Sequence, residues 1–152
     1  MRKITWSLIS IIWVVSIPLV ANADAAYNQF KQTQIKEFNG DKTPENCRVK
    51  KLEVTESGNK VLYELSAVKG KPMYLRASSG DMTYAFYEFK KGKLVQVTNV
   101  DHFIFTGFRN EQPVVQWNSL DETVNYKLSA ETKRSIQQDV TKIKKIISKF
   151  RN

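Results

Sequence analysis

The chain has 152 residues, 24 of them lysine or arginine and 15 aspartate or glutamate, and it contains one cysteine and one histidine. A single cysteine excludes an internal disulfide framework and a zinc site built on thiolates, and a single histidine excludes a multi-histidine metal site. We therefore predict a protein without a metal or other cofactor, whose core is held together by side-chain packing.

The first 23 residues match a secretory signal peptide. Met1-Arg2-Lys3 precedes an apolar run from Ile4 to Val20, and Ala21-Asn22-Ala23 provides small residues at the cleavage positions. We expect cleavage directly after this stretch, or two residues later in a second A-x-A frame, and a periplasmic or secreted product. An uncleaved anchor is the alternative, but a 17-residue run is at the short limit for crossing a bilayer.

The mature chain, residues 24–152, has 129 residues, which is enough for one domain with a core and too few for two. It holds 22 basic and 15 acidic residues, a net charge of +7. Residues 133–151 contain 7 basic residues against one acidic residue, so this segment contributes +6. The basicity is therefore a feature of the C-terminal segment.

Residues 24–40 predict a short helix, because their apolar side chains fall within about a third of a helical wheel and Asn39-Gly40-Asp41 follows as a stop. An edge strand over residues 32–36 is the alternative. Residues Thr43 to Asn46 are predicted to form a loop.

Cys47 follows this loop. An unpaired thiol in an oxidising compartment is either buried or bonded to another chain, and we expect burial because free cysteine is often found inside proteins.

Residues 48–128 predict an antiparallel β-meander. Gly58, Gly70, Gly80 and Gly92 stand 12, 10 and 12 residues apart, a spacing typical of turns between short strands. The predicted strands are Val49 to Thr55, Val61 to Val68, Met73 to Ala77, Thr83 to Phe89, Leu94 to Val100, His102 to Phe105, Val114 to Trp117 and Thr123 to Leu128. The predicted fold class is mainly β (α+β): one curled sheet or barrel of about eight strands.

The segment Thr83 to Val100 is predicted to be a hairpin at the centre of this sheet. Its two-residue turn is Lys91-Gly92. The resulting pairs are Phe89 with Leu94, Tyr87 with Gln96, and Phe86 with Val97. Both faces of the hairpin would then carry apolar side chains, which predicts a position inside the sheet rather than at its edge.

Residues 129–151 predict an amphipathic helix packed on the sheet. Ser129 can cap its start, and an apolar stripe follows with spacings of four and three residues: Ile136, Val140, Ile143, Ile147 and Phe150. Arg134, Lys142, Lys145 and Lys149 fall on the opposite face. We favour a solvated outer face for these four, with an anionic surface or a partner's groove as alternatives.

The sequence shows no catalytic constellation. If the segment around His102 is a strand, Asp101 points to the opposite face and cannot orient the ring. The candidate carboxylates by type are Glu53, Glu56, Glu64, Glu88 and Asp101, and each alternates with apolar residues as a solvated strand face does. We therefore predict a protein that is not an enzyme and assign no catalytic, cofactor-binding or metal residue.

Aromatic and basic residues interleave at Tyr84 to Lys93 and at Phe103 to Arg109, a pattern that can stack bases or sugars. Core packing explains most of it, because Phe103, Phe105 and Trp117 are predicted to be interior. Phe108 and Arg109 are the exception, since Gly107 predicts a loop there and therefore a surface contact. Nucleic acid is an unfavourable partner for an exported protein.

From these patterns we expect an exported, non-catalytic binding module of the bacterial envelope that recognises a protein partner, such as an inhibitor, immunity or accessory factor. A carrier of a lipid or other hydrophobic ligand in a cavity of the curled sheet is the alternative, followed by a small carboxylate-dependent hydrolase. The expected contact residues are Phe108, Arg109, Lys142, Lys145 and Lys149, and the three lysines would suit a protein or an anionic surface.

Overall fold

The computed structural model describes residues 21–151, so the predicted signal run Ile4 to Val20 lies outside the described residues. The predicted cleavage positions fall in the first turn of the N-terminal helix. In chain order the elements are α1 (Ala21–Thr33), a 3₁₀ helix (Ile35–Phe38), β1 (Val49–Glu56), β2 (Asn59–Val68), β3 (Lys71–Ser79), β4 (Met82–Lys90), β5 (Lys93–Asn99), β6 (Ile104–Arg109), β7 (Gln112–Asn118), β8 (Thr123–Asn125) and α2 (Ala130–Lys149).

The eight strands form one antiparallel sheet in which each strand pairs with its neighbours in sequence, in the order β1 to β8. The predicted meander is confirmed, as are a short N-terminal helix and a C-terminal helix. β1 and β8 do not pair with each other, so the sheet is open. The barrel that the sequence also allowed is not formed.

The central hairpin has the predicted turn but not all of the predicted pairs. Lys91 and Gly92 both have positive φ, as a two-residue hairpin turn requires, and Phe89 lies opposite Leu94. A bulge between Glu88 and Phe89 then shifts the register, which places Tyr87 opposite Val97 and Phe86 opposite Thr98. The extra residue is why the register predicted for these two pairs is wrong.

The two helices cover opposite faces of the sheet. Tyr87, Val97 and Thr106 lie side by side on neighbouring strands and share one face, whereas the neighbours of Thr106 in β6 point to the other. On the first face, here the α2 face, the packed side chains include Tyr63, Leu75, Ala77, Tyr87, Val140, Ile143, Ile146, Ile147 and Phe150. On the second, the α1 face, they are Tyr27, Phe30, Phe38, Val115 and Trp117.

α2 begins and packs as its sequence predicts. The backbone N–H of Thr132 donates to Ser129 Oγ at 3.0 Å, which satisfies one of the unpaired donors of the first turn. The apolar stripe is buried against β2 to β5 and Phe108. Gln137 Nε2 donates to the Glu111 carbonyl at 3.2 Å and thereby ties the helix to the turn between β6 and β7.

α1 and the 3₁₀ helix pack on β6 and β7 through a cluster of aromatic rings. The Trp117 ring lies with its centroid 4.9 Å from that of Phe30 and 5.8 Å from that of Phe38. Phe38 is fully buried and lies directly over Gly107, where a Cβ atom would come within 2.6 Å of the ring. A glycine at this position is therefore what allows the 3₁₀ helix to approach the sheet.

The prediction for residues 100–109 is wrong at both ends. Residues 100–103 form a turn in which Phe103 has a φ of +53° and is 49% exposed, and His102 is exposed rather than part of a strand. β6 instead continues through Arg109, so the loop expected around Gly107 is strand, and Phe108 is 2% exposed on the α2 face. Trp117 is interior as predicted, and Phe105 stacks on it with centroids 5.3 Å apart.

Cys47 is half-buried and forms no disulfide bond, and its Sγ atom lies 3.6 Å from the Ala67 carbonyl oxygen.

Within residues 21–151, no helix combines the length and the apolar character that crossing a membrane would need.

Candidate functional site

A continuous basic surface joins α2 to the edge strand β1. One shallow groove is lined by residues 48–52 together with Lys149 and Phe150, and a second runs along α2 and includes Lys149 as well. The two elements are held together where Lys50 Nζ donates to the Phe150 carbonyl at 2.9 Å. The basic surface consists of Arg48, Lys50, Arg134, Lys142, Lys145 and Lys149; the side chain of Lys51 points to the opposite face of the sheet.

Only part of this positive charge is neutralised by the protein itself. Lys142 pairs with Glu56 at the end of β1. Lys145 and Lys149 are exposed and form no ion pair within residues 21–151, and the same holds for Arg48 and Arg134. The basic surface therefore keeps a positive excess that is available to an anionic partner.

β1 contributes its backbone as well as its lysines. It pairs with β2 through all 8 of its residues, and its other side has no partner strand among the described residues. An edge of this kind presents unpaired N–H and C=O groups. Lys50 and Lys51 lie in the first half of β1, and Glu53 and Glu56 lie in the second half. An acidic strand would therefore meet favourable charges at the Lys50 end of this edge.

A separate cleft lies between α2 and the α2 face of β4 to β7. Its volume is about 290 Å³. One wall is formed by Ile136, Asp139, Val140 and Lys142 of α2, and the other by Tyr84, Ala85, Tyr87, Val97, Asn99, Ile104, Thr106 and Gln116. Of the residues that β5 to β7 present here, Asn99, Thr106 and Gln116 are polar, whereas Val97 and Ile104 are apolar.

Hydrogen bonds organise the polar groups at the border of this cleft. The Tyr63 hydroxyl donates to Glu56 Oε1 at 2.7 Å, while the other oxygen of Glu56 accepts from Lys142. Burial raises the pKa of the Tyr63 and Tyr87 hydroxyls far above the usual tyrosine range, so both stay protonated. Gln116 Nε2 donates to Thr106 Oγ1 at 3.2 Å.

Asp139 is the one carboxylate in the cleft lining. The residue is exposed overall but contributes to the cleft lining, and partial burial raises the pKa of its carboxyl group against the opposing effect of Lys142. The side chain of Asp139 makes no hydrogen bond and no ion pair with any residue from 21 to 151. Lys142, three residues further along α2, is engaged by Glu56 instead.

A second, smaller groove of about 250 Å³ lies on the other side of α2. Pro72, Phe89, Leu94, Ile143 and Ile147 give it an apolar floor. Lys144 crosses its rim to pair with Glu111 at 3.0 Å. Both spaces beside α2 fall at or below the lower end of the roughly 300–1,000 Å³ typical of sites for drug-sized ligands.

The structure does not bring the five predicted contact residues together. Lys142, Lys145 and Lys149 lie along one groove of α2. Phe108 belongs to the core, and Arg109 donates from Nε and Nη2 to the two carboxylate oxygens of Glu37 in the 3₁₀ helix, with Nη2 at 2.9 Å from Oε2. Neither residue lines the basic surface or the cleft.

The sequence analysis did not predict the contribution of β1 to the basic surface or the cleft beside Asp139.

Residues 21–151 contain no group of three or more histidine, cysteine, aspartate or glutamate side chains placed to hold a metal ion. Comparisons with protein-family models, with curated proteins and with solved structures gave no match to this chain.

Proposed function

We propose that the protein is an exported, non-catalytic binding module of the bacterial envelope that recognises an acidic segment of a protein partner. The observation that carries this proposal is the basic surface, in which unpaired lysine and arginine side chains of α2 adjoin the open edge of β1. The signal-like N-terminus supports the compartment.

The occupant that fits this surface is an extended acidic segment added to β1 as a further strand. Its backbone would bond to the open edge, and its acidic side chains would face Lys145 and Lys149. Charge complementarity of this kind speeds the encounter and selects the partner, while the strand pairing supplies affinity. Lys50, in the first half of β1, would add to this attraction, so the acidic segment would pair with that half of the strand.

A carrier of hydrophobic ligands has less support from the same structure. The apolar α2 face over β2 to β5 is filled by the side chains of α2 itself, including Ile143, Ile147 and Phe150. The apolar groove beside α2 measures about 250 Å³ and is open to the surface. For this reason we place partner recognition on the basic surface rather than in the core.

The proposal is tested with an eight-residue peptide of alternating glutamate and valine, matched to the 8 residues of β1. Binding is followed by fluorescence anisotropy at low and at physiological ionic strength. We expect saturable binding that weakens with salt, and a loss of about tenfold or more in the double variant Lys145→Glu/Lys149→Glu. The control Lys36→Glu/Lys127→Glu changes net charge equally at exposed positions outside the basic surface and should bind like the wild type.

Two further probes separate strand addition from simple charge attraction. A peptide with N-methyl groups on alternate residues keeps its charge but loses backbone donors, so it should bind weakly. Vesicles of anionic phospholipid serve as the competing surface. Equal binding of the methylated peptide, or vesicle binding that needs Lys145 and Lys149 while the peptide does not bind, would show that the occupant is not an acidic strand.

A further inference from the structure

The carboxylates of this protein that are covered by other residues all have partners within residues 21–151. Glu56 is bound by Tyr63 and Lys142, Glu64 by Arg76 and Lys51, and Glu111 by Lys144. Glu88 accepts from the Gly40 backbone N–H at 3.0 Å and from Gln96 at 3.2 Å. Asp139 differs from these four, because it is more exposed and its carboxylate, which is partly buried beside the cleft, has no counter-ion or donor within residues 21–151.

A carboxylate that is partly removed from water gains when a cation takes the place of the lost hydration. The nearest positive group, Lys142, already pairs with Glu56. The other polar groups of the lining, on Tyr84, Tyr87, Asn99, Thr106 and Gln116, are neutral and carry oxygen atoms that can accept from N–H donors. The charged residues of the lining are Asp139 and Lys142, and because Glu56 outside the lining pairs with Lys142, the charge of Asp139 is not compensated by an ion pair.

The remaining lining is apolar and consists of Ala85, Val97, Ile104, Ile136 and Val140. These side chains suit an alkyl or ring body but not a hydrated metal ion, which would need several oxygen ligands rather than one carboxylate. An anionic ligand would be repelled by Asp139, and a neutral one would leave the carboxylate unpaired. The ligand that satisfies both walls has one ammonium group and a short apolar body.

We propose that the cleft between α2 and β4 to β7 is a binding site for a small organic ammonium ion, whose charged nitrogen pairs with Asp139 and whose apolar body lies against Ile104 and Ile136. The cleft and the basic surface share Lys142, but Lys145 and Lys149 do not line the cleft, so the variants at these two lysines test the basic surface without changing the lining of the cleft.

Protonation of Asp139 should switch the site off. The charged and titratable groups that face it are Lys142 on its own helix, Glu56 on β1, Tyr63 on β2, and Tyr84 and Tyr87 on β4. Because an ammonium ion needs the ionised carboxylate, affinity should rise with pH through the pKa of Asp139, which lies above its ordinary 3.8, and then level off.

The test uses n-pentylammonium as probe, with 1-pentanol as its neutral analogue and pentanoate as its anionic analogue. Binding is measured by NMR titration, with isoleucine methyl signals as reporters. We expect n-pentylammonium to bind about tenfold more tightly than 1-pentanol and to shift the methyl groups of Ile104 and Ile136. Pentanoate should not bind.

Asp139→Asn keeps the shape of the side chain but removes its charge, so it should abolish the preference for n-pentylammonium over 1-pentanol and its dependence on pH. Glu131→Gln, at an exposed carboxylate of the same helix, is the matched control and should change neither. Ile104→Phe fills the cleft without altering charge and should reduce binding of both probes. Equal affinity for the two probes, an unaffected Asp139→Asn variant, or methyl shifts outside the cleft would each overturn the proposal.

Discussion

Gly107 sets how closely the N-terminal segment can approach the sheet. A Cβ atom at this position would stand 2.6 to 2.8 Å from three ring carbons of Phe38, which is fully buried. Gly107→Ala should therefore destabilise the protein by about 1–3 kcal/mol through overpacking, as measured by urea unfolding. Combining it with Phe38→Leu should cost less than the sum of the two single changes. Additive effects would mean that the alanine is accommodated without a clash.

The second prediction for a single side chain concerns the contribution of Glu64 to stability as the pH changes. The residue is 8% exposed yet lies at the surface of the sheet, covered by Lys51 and Arg76, and its bonds to these two groups lower its carboxyl pKa below the ordinary 4.5. A lowered pKa in the folded state stabilises the protein fully above the unfolded value of 4.5, and the benefit is lost as pH falls below it.

Glu64→Gln should accordingly reduce stability at neutral pH by about 1–2 kcal/mol, a figure kept small because both cationic partners are largely solvated. The loss should shrink toward pH 3, where the wild-type carboxylate is itself becoming protonated. Urea unfolding at several pH values measures both effects. The control is Glu53→Gln on β1, because Glu53 forms an exposed ion pair with Lys60 of β2. This variant should show neither a comparable loss of stability nor this pH dependence.

At the level of elements, α2 separates stability from recognition, because its two sides have different roles. Ile143 and Ile147 are 3% and 8% exposed, so Ile143→Ala and Ile147→Ala should each cost about 2–4 kcal/mol through lost burial and a residual cavity. Lys145→Glu and Lys149→Glu should leave the melting temperature nearly unchanged. Thermal unfolding of the four single variants measures this division, and intact stability in the isoleucine variants would show that α2 is not part of the core.

Lys142 belongs with the structural residues of α2, although the sequence placed it on the solvated face with its neighbours. It pairs with Glu56, whose side chain is 18% exposed. Lys142→Glu would set a third carboxylate beside Glu56 and Asp139, so it should destabilise the protein where Lys145→Glu does not. The same thermal measurement, repeated at high salt, should narrow the difference between these two variants.

The elements could be predicted where local turn chemistry marks them. Four hairpin turns carry glycine, and α2 has both a cap and a clear period. The boundaries of β6 could not be predicted, because Phe103, Asn110 and Glu111 adopt the positive φ that glycine usually supplies, and no glycine or proline signals these turns. The apolar residues around Phe103 therefore read as strand, and the start of β7 as loop.

The parts of the candidate sites that depend on contacts between distant residues could not be predicted from the sequence either. The lysine stripe of α2 follows from helical periodicity alone. Its continuation onto β1 depends on Lys50 and Phe150, which are 100 residues apart, and the cleft depends on α2 docking beside Asn99 and Gln116. Asp139 was visible in the sequence only as an acid on a basic helix. Nothing in its local sequence indicates that its charge would be left unpaired.

At the scale of the whole molecule, the position of the mature N-terminus is the first quantity to measure. We expect the exported chain to begin at Asp24, or at Ala26 if the second A-x-A frame is used, and an intact mass of the exported protein decides between them. Either product keeps Tyr27 and Phe30, which pack in the α1-face cluster. A mass that still includes Met1 to Val20 would indicate an anchored protein.

The strictly sequential order of the sheet has a consequence for how the chain acquires its structure. Each strand pairs only with strands adjacent in sequence, so pairing can proceed hairpin by hairpin as the chain is synthesised. α2 is the last element to emerge, and until it docks the apolar side chains of β2 to β5 remain open to water. Before α2 docks, aggregation through this apolar face therefore competes with folding. A chain truncated before Ser129 lacks α2, so its apolar face would stay exposed and the chain would aggregate.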